Sequence, residues 1–419
     1  MAPTLKLKIS PREFIFSLFL ILLPFSLYAD YHINIPALSY VDETLCIICI
    51  VYTLYFSFKK GIKGTDLTLL ILMIICSAFG FIGNFIYKLI SQPMPILVDF
   101  ICLAKIFVTF IVYKQVAEYD TKRRMINYLA PFAKLLILFG SFFGFISLFA
   151  DIGMAENEQR YGLSPYFFIF GNAARYGFVI VSCLLILFFT NISPKKLAIY
   201  KILAAFNILI TTKGVVYIAL VCYIVLSIMW RNKKETKFTA GNITVLSIFI
   251  AIASTLQIKT YLVDSQSPRM ILLKYGIRTA KTYFPFGSGF ATYGSDMAAR
   301  NYSVLYKLYG FQNRYGLNME NKNFLNDCYL GMVFGEFGYI GAIIFAVMLA
   351  FIFIPINKIT ISKGIKILTL SIFIALVISS LGTAIIKSSI GVFVMCILGM
   401  VCGYDKAYKN SKPTEKEEK

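Results

Sequence analysis

Charged residues and histidines are scarce in this chain of 419 residues. Charged side chains make up 15% of it, whereas hydrophobic side chains make up 58%. Soluble proteins average about 25% charged and about 45–50% apolar residues, so a soluble core cannot absorb this excess and a soluble enzyme is excluded. The only histidine is His32, which excludes a metal site built from several histidines.

The nine cysteines do not form a pattern that indicates metal or redox chemistry. Eight of them lie within long apolar segments, and Cys328 lies at the edge of another. Cys46 and Cys49 form an isolated C-x-x-C in an apolar segment, with no second pair and no histidine cluster. We therefore expect buried, unreactive cysteine side chains, no metal and no other cofactor.

Uncharged apolar runs, each long enough to cross about 30 Å of hydrocarbon, recur along the chain. They predict an all-α polytopic integral membrane protein with about twelve transmembrane helices in one domain, residues 1–404, followed by a disordered, charged cytoplasmic tail at 405–419. The predicted spans are 13–29, 40–58, 66–88, 96–116, 128–150, 166–190, 197–212, 214–230, 242–259, 328–354, 366–383 and 387–404.

Three of these spans have alternative interpretations. The first could be read as a signal peptide, because a basic start precedes a short apolar core; the spans that follow favour a retained helix. The pair at 197–230 could be one bent helix or two short ones.

Basic residues outnumber acidic residues by 41 to 21, which gives a formal net charge of +20. In a soluble protein this excess would suggest nucleic acid as a partner. In a membrane protein it can instead record orientation, because cytoplasmic loops are rich in lysine and arginine. With the N-terminus inside, 24 of the 41 basic residues lie on cytoplasmic segments. The charge pattern therefore predicts a multi-pass protein with both termini in the cytoplasm and no nucleic-acid partner.

One outer connection, residues 259–327, is much longer than the others. It holds nine basic and four acidic residues, eight tyrosines and five phenylalanines. Loops of this length are usually functional. The basic residues of this loop could hold phosphates and its aromatic rings could stack on sugars, so the loop suits a phosphorylated lipid that carries a glycan. The alternative interpretation is a basic loop that rests on anionic lipid headgroups.

Two motifs divide this loop. Residues Pro268–Lys281 predict an amphipathic helix along the outer surface, with Arg269 at its start and Met270, Leu273, Ile277 and Ala280 on the apolar face. The glycine-rich stretch 284–294 follows. Gly287 and Gly289 allow tight turns close to a ligand, but their spacing is not that of a dinucleotide-binding loop.

Ionisable residues within predicted spans are functional candidates, because burying charge in a membrane is costly. Asp99 and Lys105 share one span, Arg175 lies near the middle of another, and Glu336 lies within the tenth. A structural ion pair between Arg175 and Glu336 is the alternative. Lys213 lies at the turn between spans seven and eight, where it could bind phosphate or simply belong to a polar turn.

The order of these motifs resembles the bacterial O-antigen polymerase/O-antigen ligase family, which includes capsular and exopolysaccharide repeat-unit polymerases. The matching pieces are Gly171-Asn172 with Arg175, Thr212-Lys213-Gly214, Arg269, residues 287–294, Phe324–Asp327, and residues 335–341. The resemblance implies a metal-independent glycosyltransferase of the bacterial cytoplasmic membrane. Its donor glycan is carried on undecaprenyl pyrophosphate at the outer face.

The resemblance also implies roles for particular residues. The expected pyrophosphate ligands are Arg175, Lys213, Arg269 and Arg278. The expected glycan contacts are Tyr302, Tyr306, Gly287 and Gly289. The expected catalytic residues are Asp327, Glu336 and Arg269, with Asp327 preferred as the base that accepts a proton from the acceptor hydroxyl. The alternative role for Asp327 is to cap the helix that follows it.

The long loop contains no histidine, whereas the ligases use one there, and this favours a polymerase over a ligase. A transporter or flippase is a further alternative, although no convincing internal repeat supports it. The expected partners are the lipid-linked glycan, membrane lipids, a chain-length regulator and a flippase.

Overall fold

The computed structural model describes residues 10–28, 38, 40–115, 119–233, 236, 238–253, 255, 264 and 266–411. These residues are mainly helical, and the only β interactions among them are two isolated bridges, Ala155 with Tyr166 and Arg160 with Leu163. The helices are α1 (Pro11–Tyr28), α2 (Val41–Lys60), α3 (Thr65–Tyr87), α4 (Pro93–Gln115), α5 (Tyr119–Ser147), α6 (Ala173–Leu187), α7 (Pro194–Ile210), α8 (Gly214–Met229), α9 (Ala240–Ala253), α10 (Pro268–Thr282), α11 (Asp296–Arg300), α12 (Val304–Leu308), α13 (Tyr329–Asn357), α14 (Lys363–Ser379) and α15 (Ser389–Ser411).

Six helices in the described part of the chain are long and apolar enough to cross a membrane, namely α2, α3, α4, α5, α13 and α15. Shorter apolar stretches occur in α1, α6, α8 and α9. Large apolar side chains such as Ile74, Phe85 and Phe142 are exposed on the outside of the bundle. Contact of these side chains with water would be unfavourable, whereas contact with lipid would not. The prediction of an all-helical fold is confirmed for the described residues, and the six candidate spans agree with the prediction of a membrane protein.

Two of the predicted boundaries are settled by local structure. Helices α7 and α8 are separated at residues 211–213, so the segment is two short helices and not one bent helix. Helix α6 begins at Ala173, seven residues after the predicted start of the span. It begins there because the Asn172 side chain accepts hydrogen bonds from the backbone N–H groups of Ala174 (3.0 Å) and Arg175 (3.1 Å).

The prediction of a disordered tail from residue 405 is wrong for residues 405–411, which continue helix α15. The buried Asp405 carboxylate accepts hydrogen bonds from the backbone N–H groups of Thr360 and Ile361, both at 2.8 Å, and pairs with Lys409 at 2.7 Å. These contacts tie the helix to the connection between α13 and α14. Residues 412–419 lie outside the described residues.

Helix α15 is central to the bundle, and most of its residues are buried. It packs most extensively against α4 and also contacts α1, α5 and α6. Gly399 and Gly403 lie one turn apart where it meets α4, and a Cβ atom there would lie 2.4 Å from the carbonyl oxygen of Phe110 and 2.1 Å from that of Lys114. Small residues at this spacing allow two helix backbones to approach closely, as they do between membrane helices.

Helix α13 is interrupted at Gly338, whose φ of 68° is not helical. Residues 283–294, here called the glycine segment, fill the interruption. The N–H groups of Ser288 and Gly289 donate to the carbonyl oxygens of Gly335 (2.9 Å) and Glu336 (3.0 Å). Backbone groups away from water need such internal partners, so the segment stabilises the broken helix.

The long loop is a folded unit rather than an open connection. Its described part, from residue 266, has a small core of its own that includes Leu272, Tyr293, Tyr306 and Phe311. Helix α10 occurs where an amphipathic helix was predicted. The predicted apolar face is correct only for Ala280, because the buried residues are Ile271, Leu272, Gly276, Thr279 and Ala280, and the helix packs on α13.

Candidate functional site: a cationic cavity at one end of the bundle

A cavity of about 520 Å³ lies at the end of the bundle where helices α2, α6, α8, α10 and α15 begin. We call it the cationic cavity, because seven basic and four acidic side chains line it. The basic residues are Lys105, Arg160, Arg175, Lys213, Arg269, Arg300 and Lys387, and the acidic residues are Asp42, Glu43, Asp296 and Asp327. The first backbone N–H groups of a helix have no partner within that helix, so five helix starts add to the attraction for an anion.

Arg175 lies in the first turn of α6 and lines the cavity, so its expected position near the middle of a span is wrong. Among the described residues no acidic side chain lies within ion-pairing distance of its guanidinium group, and the alternative of an ion pair with Glu336 is therefore also wrong. Arg175 and Arg300 are the basic residues of the cavity that have no ion-pair partner among the described residues.

Lys213 reaches the cavity from the residue that precedes α8. Its Nζ atom lies 2.5 Å from Oε2 of Glu156, whose Oε1 accepts the backbone N–H of Ala173 at 3.2 Å. Glu156 therefore joins the starts of α6 and α8, a role that no sequence pattern had suggested. The Thr211 hydroxyl donates to the carbonyl oxygen of Ile208, so this hydroxyl is used within the turn.

Arg269 and Asp327 meet across the cavity wall. Arg269 lies at the start of α10, Asp327 lies just before α13, and their closest nitrogen and oxygen atoms are 2.7 Å apart. Burial raises the pKa of the Asp327 carboxyl, and the positive charge of Arg269 partly offsets this. The helix-cap alternative for Asp327 is wrong, because Cys328 is the capping residue of α13 and its Sγ atom accepts the N–H of Gly331 at 3.4 Å.

The cavity is also lined by two lysines, Lys105 and Lys387, that the sequence motifs did not indicate as site residues. Lys105 pairs with Asp42 (2.5 Å) and Glu43 (2.8 Å) of α2 rather than with Asp99 of its own helix. The intramembrane position of Lys105 was a usable signal.

Lys387 lies just before α15, with its Nζ atom 3.2 Å from Oδ2 of Asp296. Asn326 donates a hydrogen bond to the other oxygen of that carboxylate. Burial alone would raise the pKa of Asp296, but Lys387 and Asn326 outweigh it and hold the pKa at about 2. Asp296 is therefore ionised at neutral pH. A lysine followed by two serines at a helix start was the signal for Lys387.

Tyr302 and Tyr306 lie in the core of the loop and not in the cavity. The Tyr306 hydroxyl accepts the N–H of Gly294 (2.8 Å), and the Tyr302 hydroxyl donates to the carbonyl oxygen of Leu317 (3.1 Å). Both rings are almost completely buried, so neither has a face free to stack on a sugar. The structure contradicts their expected role as glycan contacts.

Gly287 and Gly289 approach protein backbone rather than a ligand. A Cβ atom at Gly287 would lie 2.4 Å from the nitrogen of Gly338, and one at Gly289 would lie 2.5 Å from the nitrogen of Asn84. Both residues have positive φ values. The glycines are needed for close packing between α3 and α13, so their expected contact with the glycan is contradicted.

Glu336 and Arg278 are also outside the cavity. The Glu336 carboxylate is fully buried, and its Oε1 accepts the N–H groups of Thr292 (3.2 Å) and Tyr293 (3.3 Å) of the glycine segment. Arg278 is exposed, and its guanidinium group lies 5.6 Å from the ring centroid of Tyr309. Their positions contradict a catalytic role for Glu336 and a pyrophosphate contact for Arg278.

All nine cysteines are buried and free, as expected. Across the described ranges no group of three or more histidine, cysteine, aspartate and glutamate side chains could hold a metal ion. His32 lies outside those ranges, and metal independence stays a prediction.

The fold and the cavity together define the class of this protein: a helical, membrane-like fold with a cavity at one end of its bundle that is lined by more basic than acidic side chains. Neither a protein-family model nor a curated protein sequence matches the chain.

Proposed function

We propose that this protein is a polysaccharide polymerase that joins oligosaccharide repeat units linked to undecaprenyl pyrophosphate. The observation that carries the proposal is the convergence of Arg175, Lys213, Arg269 and Asp327 on one cavity. They come from four separate elements, α6, α8, α10 and the start of α13. Three cations and one carboxylate are the groups that such a reaction needs at its leaving group and its acceptor hydroxyl.

The proposal includes an orientation in the cytoplasmic membrane of a bacterium. Helices α1–α9 and α13–α15 are the twelve spans, both termini are cytoplasmic, and the cavity faces outward beneath the long loop. The lysines at the starts of α7 and α14 support this orientation, because those helices run opposite to the helices that begin at the cavity. The exposed apolar side chains of the bundle would contact lipid.

The reaction is a glycosyl transfer. The bond between the anomeric carbon and the pyrophosphate oxygen breaks, and its electron pair leaves with the pyrophosphate. Arg175, Lys213 and Arg269 stabilise the charge that develops on this leaving group. An acceptor hydroxyl oxygen bonds to the anomeric carbon, and its proton passes to the Asp327 carboxylate. A carboxyl whose pKa is raised by burial is a better proton acceptor than an exposed one.

The competing functions make different demands on the cavity. A ligase would transfer the glycan to lipid A–core, and a transporter or flippase would need no base beside the cations. The pairing of Asp327 with Arg269 favours a transferase, because it places a candidate base next to a cation that is proposed to hold the phosphate. A chain-length regulator and a flippase are the proposed partners of this polymerase.

The test compares two arginines of the same helix. In cells whose surface polysaccharide depends on this protein, Arg269→Ala should abolish chains longer than one repeat unit, because the cavity loses a cation that holds the leaving group. Arg278→Ala is the matched control, since Arg278 is exposed and outside the cavity. Glycan ladders on gels and the amount of protein in membranes are the measurements.

The ladder also separates the alternatives. Single repeat units that still reach their final anchor in Arg269→Ala indicate lost polymerisation with intact ligation. Loss of both indicates a ligase or a flippase. A normal ladder in Arg269→Ala, with the protein present in the membrane, would falsify the proposed function.

A further inference from the structure

Helix α15 begins at a wall of the cationic cavity, and the three residues at its start, Lys387, Ser388 and Ser389, all line that cavity. The helix is 23 residues long. The backbone N–H groups of its first turn have no carbonyl partner within the helix, so its start is favourable for an anion. A helix start alone does not make a binding site, and the side chains beside it determine whether an anion can bind there.

The two serines differ in their hydrogen bonding. The Ser388 hydroxyl donates to the carbonyl oxygen of Ile385 (2.7 Å) and accepts the N–H of Gly391 (3.4 Å), which is the role of a helix cap. The Ser389 side chain is only 3% exposed, and its hydroxyl has no hydrogen-bond partner among the residues that the structure describes. A buried hydroxyl without a partner costs stability, so its presence in a cavity wall indicates a partner that arrives from outside the chain.

Lys387 supplies the charge beside this hydroxyl. It is 4% exposed and pairs with the Asp296 carboxylate, whose other oxygen is occupied by Asn326. Asp296 belongs to the short helix α11 of the long loop. A lysine, an unpaired hydroxyl and the start of a long helix are therefore adjacent along the chain, and Lys387 and Ser389 both line the same cavity. Phosphate sites in proteins combine these three features.

We propose that Lys387, Ser389 and the start of α15 form a second phosphate subsite. This inference rests on the proposed function and deepens it. A pyrophosphate has two phosphates, and we assign the one next to the transferred sugar to Arg175, Lys213 and Arg269, because the candidate base Asp327 contacts Arg269. The subsite at α15 takes the phosphate next to the lipid. The site therefore selects a lipid diphosphate over a lipid monophosphate.

The test measures the affinity of the purified, full-length protein for farnesyl pyrophosphate and for farnesyl monophosphate. The wild-type protein should prefer the pyrophosphate. Ser389→Ala should lower the pyrophosphate affinity about tenfold, the effect of losing one hydrogen bond to a charged group, and leave the monophosphate affinity unchanged. Its thermal stability should stay equal or rise, because an unpaired buried hydroxyl is removed.

Ser182→Ala is the matched control. Ser182 is also buried and also lacks a hydrogen-bond partner among the described residues, but it lies in α6 and does not line the cavity. This variant should bind both ligands as the wild type does. An equal loss of pyrophosphate affinity in Ser182→Ala would mean that the effect of Ser389→Ala is not local, and it would overturn the subsite.

A double variant, Lys387→Gln with Asp296→Asn, removes both charges of this ion pair, so the Asp296 carboxylate is not left without its partner. It should reduce the preference for pyrophosphate further. If this variant and Ser389→Ala both keep the wild-type preference for pyrophosphate over monophosphate, the subsite is overturned. The proposed function still stands in that case if Arg175→Gln loses affinity for both ligands. If the wild-type protein binds neither ligand, the proposed function and the subsite both fail.

Discussion

The cationic cavity and the glycine segment are both rich in polar groups, but those of the glycine segment contact other parts of the protein, whereas those of the cavity line open space. In the glycine segment Asn84 exchanges two hydrogen bonds of 2.8 Å with the backbone of Phe290, and one oxygen of the Glu336 carboxylate accepts N–H groups of the same segment. In the cavity, Arg175 has no acidic partner among the described residues and the Ser389 hydroxyl has no hydrogen-bond partner there.

This difference distinguishes polar groups that stabilise the fold from polar groups that are available to bind a ligand. Groups whose partners lie within the chain hold the fold together, because their hydrogen bonds offset the cost of burial. Groups that lack such partners and face open space are available to a ligand. Both regions carry residues that the family resemblance singled out, and only their surroundings distinguish them.

The largest expected effect is on catalysis in the cavity. Asp327→Asn should lower the transfer rate about 10²–10⁴-fold, the usual contribution of a general base, with little change in thermal stability. The wild-type rate should fall as the pH drops through the pKa of Asp327, because only the carboxylate accepts a proton. Burial raises this pKa, so the decline should lie above the usual range of an aspartate. The variant should lack this decline.

The measurement is the rate of glycan transfer from a lipid pyrophosphate donor across acidic and neutral pH. Glu320→Gln is the control, since Glu320 is an exposed acid of the same loop. An unchanged rate and pH profile in Asp327→Asn would remove Asp327 from the mechanism.

A smaller effect, on folding alone, is expected in the glycine segment. Gly287→Ala should lower the free energy of unfolding by about 3 kcal/mol, because the new methyl group meets the backbone of α13 and the positive φ disfavours a side chain. Gly241→Ala is the control, because nothing lies within 4 Å of a Cβ atom at that helical position. Thermal unfolding in detergent measures both. If Gly287→Ala keeps full stability but loses donor affinity, the separation of the two regions fails.

The smallest effect is expected at Tyr302. Tyr302→Phe removes one hydrogen bond, to the carbonyl oxygen of Leu317, and should cost about 1 kcal/mol of stability. The buried ring is retained, so the KM for the lipid-linked glycan should not change. A clear rise in KM with unchanged stability would restore Tyr302 as a sugar contact.

The positions of the helices could largely be predicted from the sequence, because each is a long apolar run with a recognisable end. Pro194 and Pro268 open α7 and α10, and Asn172 and Ser388 cap α6 and α15. The predicted start of α6 was seven residues too early, since the aromatic residues before Asn172 are as apolar as a span. Composition alone does not separate a buried aromatic loop from a helix.

The site was only partly predictable. Arg175, Lys213, Arg269 and Asp327 were recognised from motifs and do line one cavity. Glu156 and Lys387 were missed because each acts through a residue far away in the chain. Gly287, Tyr302 and Glu336 were assigned to a ligand although their partners are other parts of the protein.

The sequence by itself determined the helical, membrane-embedded class and the excess of positive charge, because both follow from composition and from the length of apolar runs. Tertiary structure decided which charges meet. A helix that is apolar on all sides carries no periodicity to show which face is buried. The pairs Lys213 with Glu156 and Lys387 with Asp296 therefore depend on how the helices rotate and pack, and only that packing separates the cationic cavity from the glycine segment.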